Sequence, residues 1–354
     1  MPFQIIRADI TKIKADAIVN SANPQPVIGS GVDSAVYQAA GAEKMIKARQ
    51  KIGPIATGEV AVTKGFSLPA KYVIHTVGPV WNGGQSGEFL CLASCYRKSL
   101  EKAEELHCKS IAFPLISSGV YGFPKDQALN VALREIRVFL ESSEIDVTLV
   151  VFDRTAFELS GALVQDVLQY IDDAGVYEAE EAEYDDFAPF AGQLPDSAYM
   201  RRPSAMMPSA PMKKTEAKKE SVSYLGAAPK EAADISDILR LRDESFQQRL
   251  FRMIDERGMT DAEVYKKANL DRKLFSKIRC NENYQPRKQT ALAFAIALRL
   301  SLDETADLLR TAGYALSGSN DADLIVRYCI ENKKYDIFDV NALLFKFDQQ
   351  LLGS

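Results

Sequence analysis

The stretch DAIVNSANPQPVIGSGVDSAVYQAAG, residues 16–41, holds the three parts of an α/β unit in order. Asp16 to Ala22 is short, β-branched and apolar, the pattern of a strand buried on both faces. A polar, proline-containing loop follows, with Gly29 and Gly31, and from Val32 the alanine-rich sequence takes on helical periodicity. Working outward, FQIIRA, GEVAVTKG, KYVIHTVG, SIAFPLI and DVTLVVFD repeat the strand pattern. Helical patterns run between and after them, over Val32–Gln50, Phe89–Leu106, Lys125–Leu140 and Ala156–Ile171. This alternation predicts a three-layer α/β domain over residues 1–172.

A chain of 354 residues, 47% hydrophobic and 26% charged, is long enough for two globular domains. From Tyr177 the composition changes to an acidic run, EAEEAEYDD, and then to a segment rich in Pro, Ser, Ala and Lys. So few large apolar residues cannot offset the entropy of ordering, and residues 173–232 are expected to be a disordered linker. Residues 233–354 then read as purely helical. The formal net charge of −5 argues against nucleic-acid binding by bulk electrostatics and leaves room for a local basic face. The N-terminus shows no secretory signal, and the longest apolar run, ALAFAIAL from Ala291, is too short for a bilayer. A cytoplasmic protein without membrane partners is expected. The five cysteines are an odd, scattered set, which fits reduced thiols, and their spacing with His107 matches no zinc pattern. No metal and no cofactor is called for.

Ligands of α/β sheets bind beyond the carboxyl ends of the strands. Three such ends are unusual here. One carries the amides Asn20 and Asn23, then Gly29, Gly31, Val32 and the acid Asp33. A second runs into Ser117, Ser118, Gly119, Val120 and Tyr121, where small residues let successive backbone N–H groups converge on a phosphate. The third ends at Phe152, a flat surface on which a base can stack. Each has a plainer reading. A Gly-Ser-Gly stretch can be just a turn, Asp33 can favour a helix N-terminus, the asparagines can satisfy local backbone, and Phe152 can be core. His75, inside a strand, reads as packed.

Together the motifs RADITKIKADAIVNSAN, GSGVDSAVYQAAG, YVIHTVGPVW and IAFPLISSGVYGFPKDQAL resemble the macrodomain family of ADP-ribose-binding modules across residues 1–172. The resemblance implies an α/β/α fold with a mixed sheet. It implies that Asp9 and Ile10 hold the adenine beside Phe152, and that the loop Ser117–Tyr121 wraps the diphosphate. Asn23 and Asp33 would flank the distal ribose as catalytic residues, while Asn20, Gly29, Gly31 and Val32 are further ligand-binding candidates, the glycine loop facing the Ser117–Tyr121 loop across a pyrophosphate. The implied activity is hydrolysis of mono-ADP-ribose from acidic side chains of modified proteins. Alternatives are O-acetyl-ADP-ribose deacetylation, or a reader that binds without cleaving. Three departures from the hydrolytic pattern stand out. Ile28 and Ser30 interrupt a glycine run and predict a stiffer loop or an altered water site, and Tyr37 stands where a histidine is common.

The C-terminal stretch from Met259 to Leu309 resembles a phage-repressor helix-turn-helix. Thr260 and Asp271 would cap the two helices and Asn269 would take the left-handed turn position. Val264, Leu270, Leu274 and Ile278 would face the core. Arg272, Lys273, Ser276, Lys277 and Arg279 would then face outward, with Arg287 and Lys288 nearby, toward DNA phosphates. The same scaffold also serves protein docking, so either partner remains open. The linker would leave this module free to turn relative to the first domain.

Overall fold

The computed structural model of the chain describes residues 2–152, 159, 161–172 and 244–353, all of which belong to one compact unit. The expected linker, residues 173–232, and the start of the fourth predicted helix at Ala156 lie outside the described residues. A six-stranded sheet runs in the order β1-β6-β5-β2-β4-β3. Its strands are β1 (Phe3–Arg7), β2 (Ala17–Ser21), β3 (Val60–Lys64), β4 (Tyr72–Thr76), β5 (Ser110–Pro114) and β6 (Asp146–Val151). Every pairing is parallel except that of β3 with β4, so the sheet is mixed.

The two faces of the sheet carry different layers. Ile18, Val73, Ala112 and Val150 pack with Val36, Tyr37 and Met45 of α1 (Val32–Ala40) and α2 (Ala42–Ile52). The alternate residues, Ala17, Ile74, Ile111 and Val147 among them, pack with α3 (Glu88–Glu105) and α4 (Lys125–Leu140). This alternation is the period-two geometry of a strand, and it makes the three layers. The single helix expected over Val32–Gln50 is two, because Gly41 takes φ +93° and breaks the helix there. Residues 161–172 are helical.

The C-terminal region is all helical between its turns: α5 (Phe246–Glu256), α6 (Asp261–Lys267), α7 (Arg272–Arg279), α8 (Lys288–Ala297), α9 (Leu302–Thr311), α10 (Asp321–Glu331) and α11 (Ile337–Lys346). Ser245, Thr260 and Ser301 open α5, α6 and α9 with capping boxes, each closed by a Gln or Glu three residues on. Asp271 caps α7 through the Leu274 N–H, and Asn269 sits at φ +54° between α6 and α7. Val264, Leu270 and Ile278 are buried as expected, but Phe275 is the buried residue where Leu274 is only partly so. No helix among the described residues is long and apolar enough to cross a membrane.

This region is not an independently turning module. Its core is continuous with that of the sheet, and Phe338 stacks on Phe3 at 4.7 Å between ring centroids. Val147 N–H bonds to Pro2 on the β6 side of β1, so Phe3 turns its own N–H and C=O to the free edge. There Asn269 meets both: Phe3 N–H donates to Oδ1 at 2.9 Å and Nδ2 donates to Phe3 O at 2.8 Å. One amide thus takes the place of a neighbouring strand. Arg7 at the far end of β1 pairs with Asp348 at 2.9 Å and lies over the Phe345 ring. Tyr265 donates to Glu144, Lys266 donates to the Glu141 carbonyl, and Arg137 of α4 pairs with Asp336 at the start of α11.

Asn269→Ala removes both bonds to Phe3, leaves the Phe3 N–H and C=O without these partners, and puts alanine into a left-handed position. The expected cost is about 1–3 kcal/mol in urea unfolding, with the full chain losing stability as one transition.

Candidate functional site

Because five strands run parallel, the segments after β1, β2, β5 and β6 emerge on one side of the sheet and enclose a cleft of about 630 Å³, within the range typical of ligand sites. Thirteen of the fourteen residues singled out in this domain line it, from Asp9 and Ile10 to Phe152; Asn20 does not. Asn20 points into the layer behind the cleft and is fully buried.

At one end, Asp9 caps the short 3-10 turn Ile10–Lys12. Its Oδ1 accepts from Thr11 N–H at 2.9 Å and the Thr11 hydroxyl at 2.7 Å. The hydroxyl bond, chiefly, holds the Asp9 carboxyl below its usual range. Oδ2 keeps acceptor capacity, with Lys12 3.9 Å away. Phe152 follows β6 and is 76% exposed at the rim, which excludes the reading of this ring as core.

In the middle lies the loop after β5. Ser117 takes φ +63°, and the N–H groups of Gly119, Val120 and Tyr121 find no acceptor among the described residues. The Ser117 hydroxyl is buried without a partner. The sequence reading missed what supports this loop. Gly78 packs so closely that a β-carbon there would stand 2.1 Å from Ser117 Oγ. Trp81 N–H donates to the Tyr121 carbonyl at 2.8 Å, and its ring packs on Phe123 and Phe89. Glu88 collects the N–H groups of Asn82, Gly84 and Ser86 and ties the preceding loop down. The signal was available in YVIHTVGPVW, where Gly78 and the chain's one tryptophan follow a strand end.

At the other end, Asn23 Oδ1 accepts from Gln25 N–H at 3.1 Å, which leaves its amide NH₂ as the donating group. The loop Gly29–Gly31 lies on Asp33. Gly29 N–H donates to Oδ2 at 2.6 Å and Asn20 Nδ2 donates to Oδ1 at 2.6 Å. Gly31 opens α1 at φ +59°, ψ −126°, a conformation for glycine alone. Asp33 is 2% exposed, and burial pushes its carboxyl up despite the two hydrogen bonds. Burial of the Tyr121 hydroxyl pushes it up, and the Asp33 charge adds to this. Ile28 packs against the α1/α2 core, while Ser30 is exposed at the cleft. Tyr37 is buried, its ring edge-on to His75 at 6.4 Å.

Among the described residues that line the cleft there is no Lys, Arg or His; Asp9 and Asp33 are its charged groups. An anion placed between the loops would therefore be held by backbone N–H dipoles. No group of three or more potential metal ligands occurs among the described residues.

In the helical region, Arg272, Lys273, Ser276, Lys277 and Arg279 are exposed on α7, as the periodicity requires. Two are engaged: Arg279 pairs with Asp261 and lies 4.3 Å over the Phe251 ring, and Lys277 stands over Tyr284. Lys288 pairs with the buried Asp323 at 2.5 Å and is thus part of the fold.

A protein-family model described as Macro domain matches residues 19–132. The chain is 53% identical over 135 residues to the macro domain-containing protein CT2219 of Chlorobaculum tepidum, a match spanning 38% of this chain and 78% of that one. It is 49% identical over 142 residues to a Salmonella gallinarum protein named O-acetyl-ADP-ribose deacetylase, covering 39% and 78%. Among solved structures, the Oceanobacillus iheyensis macrodomain with ADP is 41% identical over 44% of this chain and 85% of that one, with a TM-score of 0.42. The chain belongs to the macro domain family.

Burial lowers the pKa of His75 from 6.5 to about 3, and the charge of buried Arg49 adds to this. Protonation is easier in the unfolded chain than in the folded one. The stability that neutral His75 contributes is complete above about pH 6.5 and is lost as pH falls toward about 3. Denaturant unfolding between pH 6 and pH 4 should show a slope about 1.4 kcal/mol per pH unit steeper in the parent than in His75→Asn.

Proposed function

We propose that this protein binds ADP-ribose in the cleft and hydrolyses the ester that joins mono-ADP-ribose to acidic side chains of modified proteins. The observation that supports this most is the pairing of two loops on one cleft, Gly29–Asp33 and Ser117–Tyr121, whose N–H groups at Gly31–Asp33 and Gly119–Tyr121 have no acceptor among the described residues. Six such donors on one cleft without a cationic side chain suit a diphosphate whose charge is met by dipoles. Asp9 Oδ2 would accept from the adenine amine, with Ile10 below the base and Phe152 stacked beside it.

At the distal ribose, Asn23 would orient the sugar hydroxyls through its free NH₂. Water would attack at the ester, giving a carboxylic acid and a free sugar hydroxyl. Both oxygens of Asp33 already accept hydrogen bonds at 2.6 Å, which favours a holding role for it. Activation of the water then falls to a phosphate oxygen of the substrate. No Ser-His or Cys-His pair lines the cleft among the described residues.

The Salmonella gallinarum relative named O-acetyl-ADP-ribose deacetylase supports a second substrate. The acetyl group of that compound is also an ester of the distal ribose, so the same placement of water and Asn23 would serve both. A reader that binds without cleaving is the non-catalytic alternative. For the helical region we propose docking to a macromolecule, DNA or protein, through Arg272, Lys273, Ser276 and Lys277, with the α6–α7 turn turned toward β1.

Titration with ADP-ribose should change the fluorescence of Trp81, which touches the Tyr121 loop. The parent should release ADP-ribose from a mono-ADP-ribosylated glutamate substrate and acetate from O-acetyl-ADP-ribose, and Asp33→Ala should lower both rates by about tenfold or more. Binding with no release from either compound would select the reader.

Gel shifts at two salt concentrations address α7. DNA contact predicts a complex that weakens with salt and is lost in Lys273→Ala/Lys277→Ala, whereas no complex at low salt would leave protein docking.

A further inference from the structure

Behind the cleft a chain of hydrogen bonds crosses three strands and ends on the loop. The Thr63 hydroxyl on β3 donates to Met45 Sδ at 3.3 Å, and Thr63 Oγ1 lies 2.9 Å from His75 Nε2 on β4. His75 Nδ1 lies 3.1 Å from Asn20 Nδ2 on β2, and the same Nδ2 donates to Asp33 Oδ1 at 2.6 Å. Asp33 Oδ2 takes the Gly29 N–H at 2.6 Å. All of these side chains are buried, His75 and Asn20 completely.

With Asp33 ionised, the Asn20 NH₂ must face Asp33 Oδ1, and the donors and acceptors then allow one assignment. With its hydroxyl proton given to Met45, Thr63 must accept from Nε2–H, so Nδ1 carries a lone pair and must accept from Asn20. The Asn20 NH₂ then spends one proton on His75 and the other on Asp33. A flipped amide would set its oxygen against two acceptors, so this orientation is fixed. Its cost is a buried Asn20 Oδ1 with no partner, which a residue kept only for packing would not carry.

We infer that Asn20 and His75 are positioning residues for the distal-ribose end of the cleft: they aim the Asp33 carboxylate so that it draws Gly29 inward and sets the shape of the Gly29–Gly31 loop. This rests on the reading of the cleft as an ADP-ribose site with that loop at the distal ribose. Gly29 is close enough that a β-carbon on it would stand 3.0 Å from Asp33 Oδ2, so a small swing of the carboxylate moves the loop. Asn20 and His75 touch no cleft surface, and their effect on ligand passes through Asp33.

The test compares ADP-ribose with ADP, which lacks the distal ribose, by calorimetry on the full chain. Asn20→Ala is expected to weaken ADP-ribose about tenfold or more and ADP by less than about threefold. His75→Leu, which removes the acceptor, should do the same. His75→Asn, whose Oδ1 replaces Nδ1 as acceptor, should restore most of the ADP-ribose affinity. Equal losses for the two ligands, or no difference between His75→Leu and His75→Asn, would overturn the inference. If Asn20→Ala does not fold, the His75 pair decides alone. A parent chain that binds neither ligand would overturn the ADP-ribose reading itself, and the inference with it.

Discussion

A parallel sheet has a polarity: every strand delivers its carboxyl end to the same side, and whatever follows each strand is brought together there whether or not it is near in sequence. In this chain that constraint gathers Asp9, Asn23, the Gly29–Asp33 loop, the Ser117–Tyr121 loop and Phe152 around one cleft, although they span most of the first 152 residues. The lone antiparallel strand, β3, lies at the sheet edge and supplies Thr63 to the layer behind the cleft instead of a wall. Site and support are thus set by strand direction.

The electrostatics of the cleft follow from the same arrangement. Loops at strand ends present N–H groups, and glycines leave those groups uncovered. With two carboxylates and no cation among the described lining residues, the binding of any anion there would have to come from geometry, because the net side-chain field repels anions. This explains why so much of the buried polar structure fixes loops. Asp33 holds Gly29, Glu88 holds residues 82–86, Gly78 makes room for Ser117, and Trp81 ties Tyr121.

Much of this was legible in the residues. Strand segments of β-branched residues are short, flanked by Gly, Asn and Asp, and hard to mistake, and four motifs carried a resemblance to the macrodomain family. Capping chemistry at Thr260 and Asp271 and the left-handed Asn269 were readable because they depend on neighbours two or three residues away. The break at Gly41 was not, since a glycine within a helical pattern does not by itself end the helix. Asn20 was assigned to the ligand because it follows a strand end, but strand register decides which of two nearby amides faces the cleft, and register is a property of the sheet. Asn269 shows the same limit most clearly. Its turn conformation is local, whereas its partner, Phe3, is 266 residues away.

That last contact has a consequence for the molecule's solubility. An outer strand with open N–H and C=O groups is a template on which a second copy can add by strand pairing. The Asn269 amide occupies that template at Phe3, and Phe338 covers the ring beside it. The helical region therefore acts as a built-in guard against edge-to-edge association, and a chain cut before it would expose both the bonding groups and the apolar face at once.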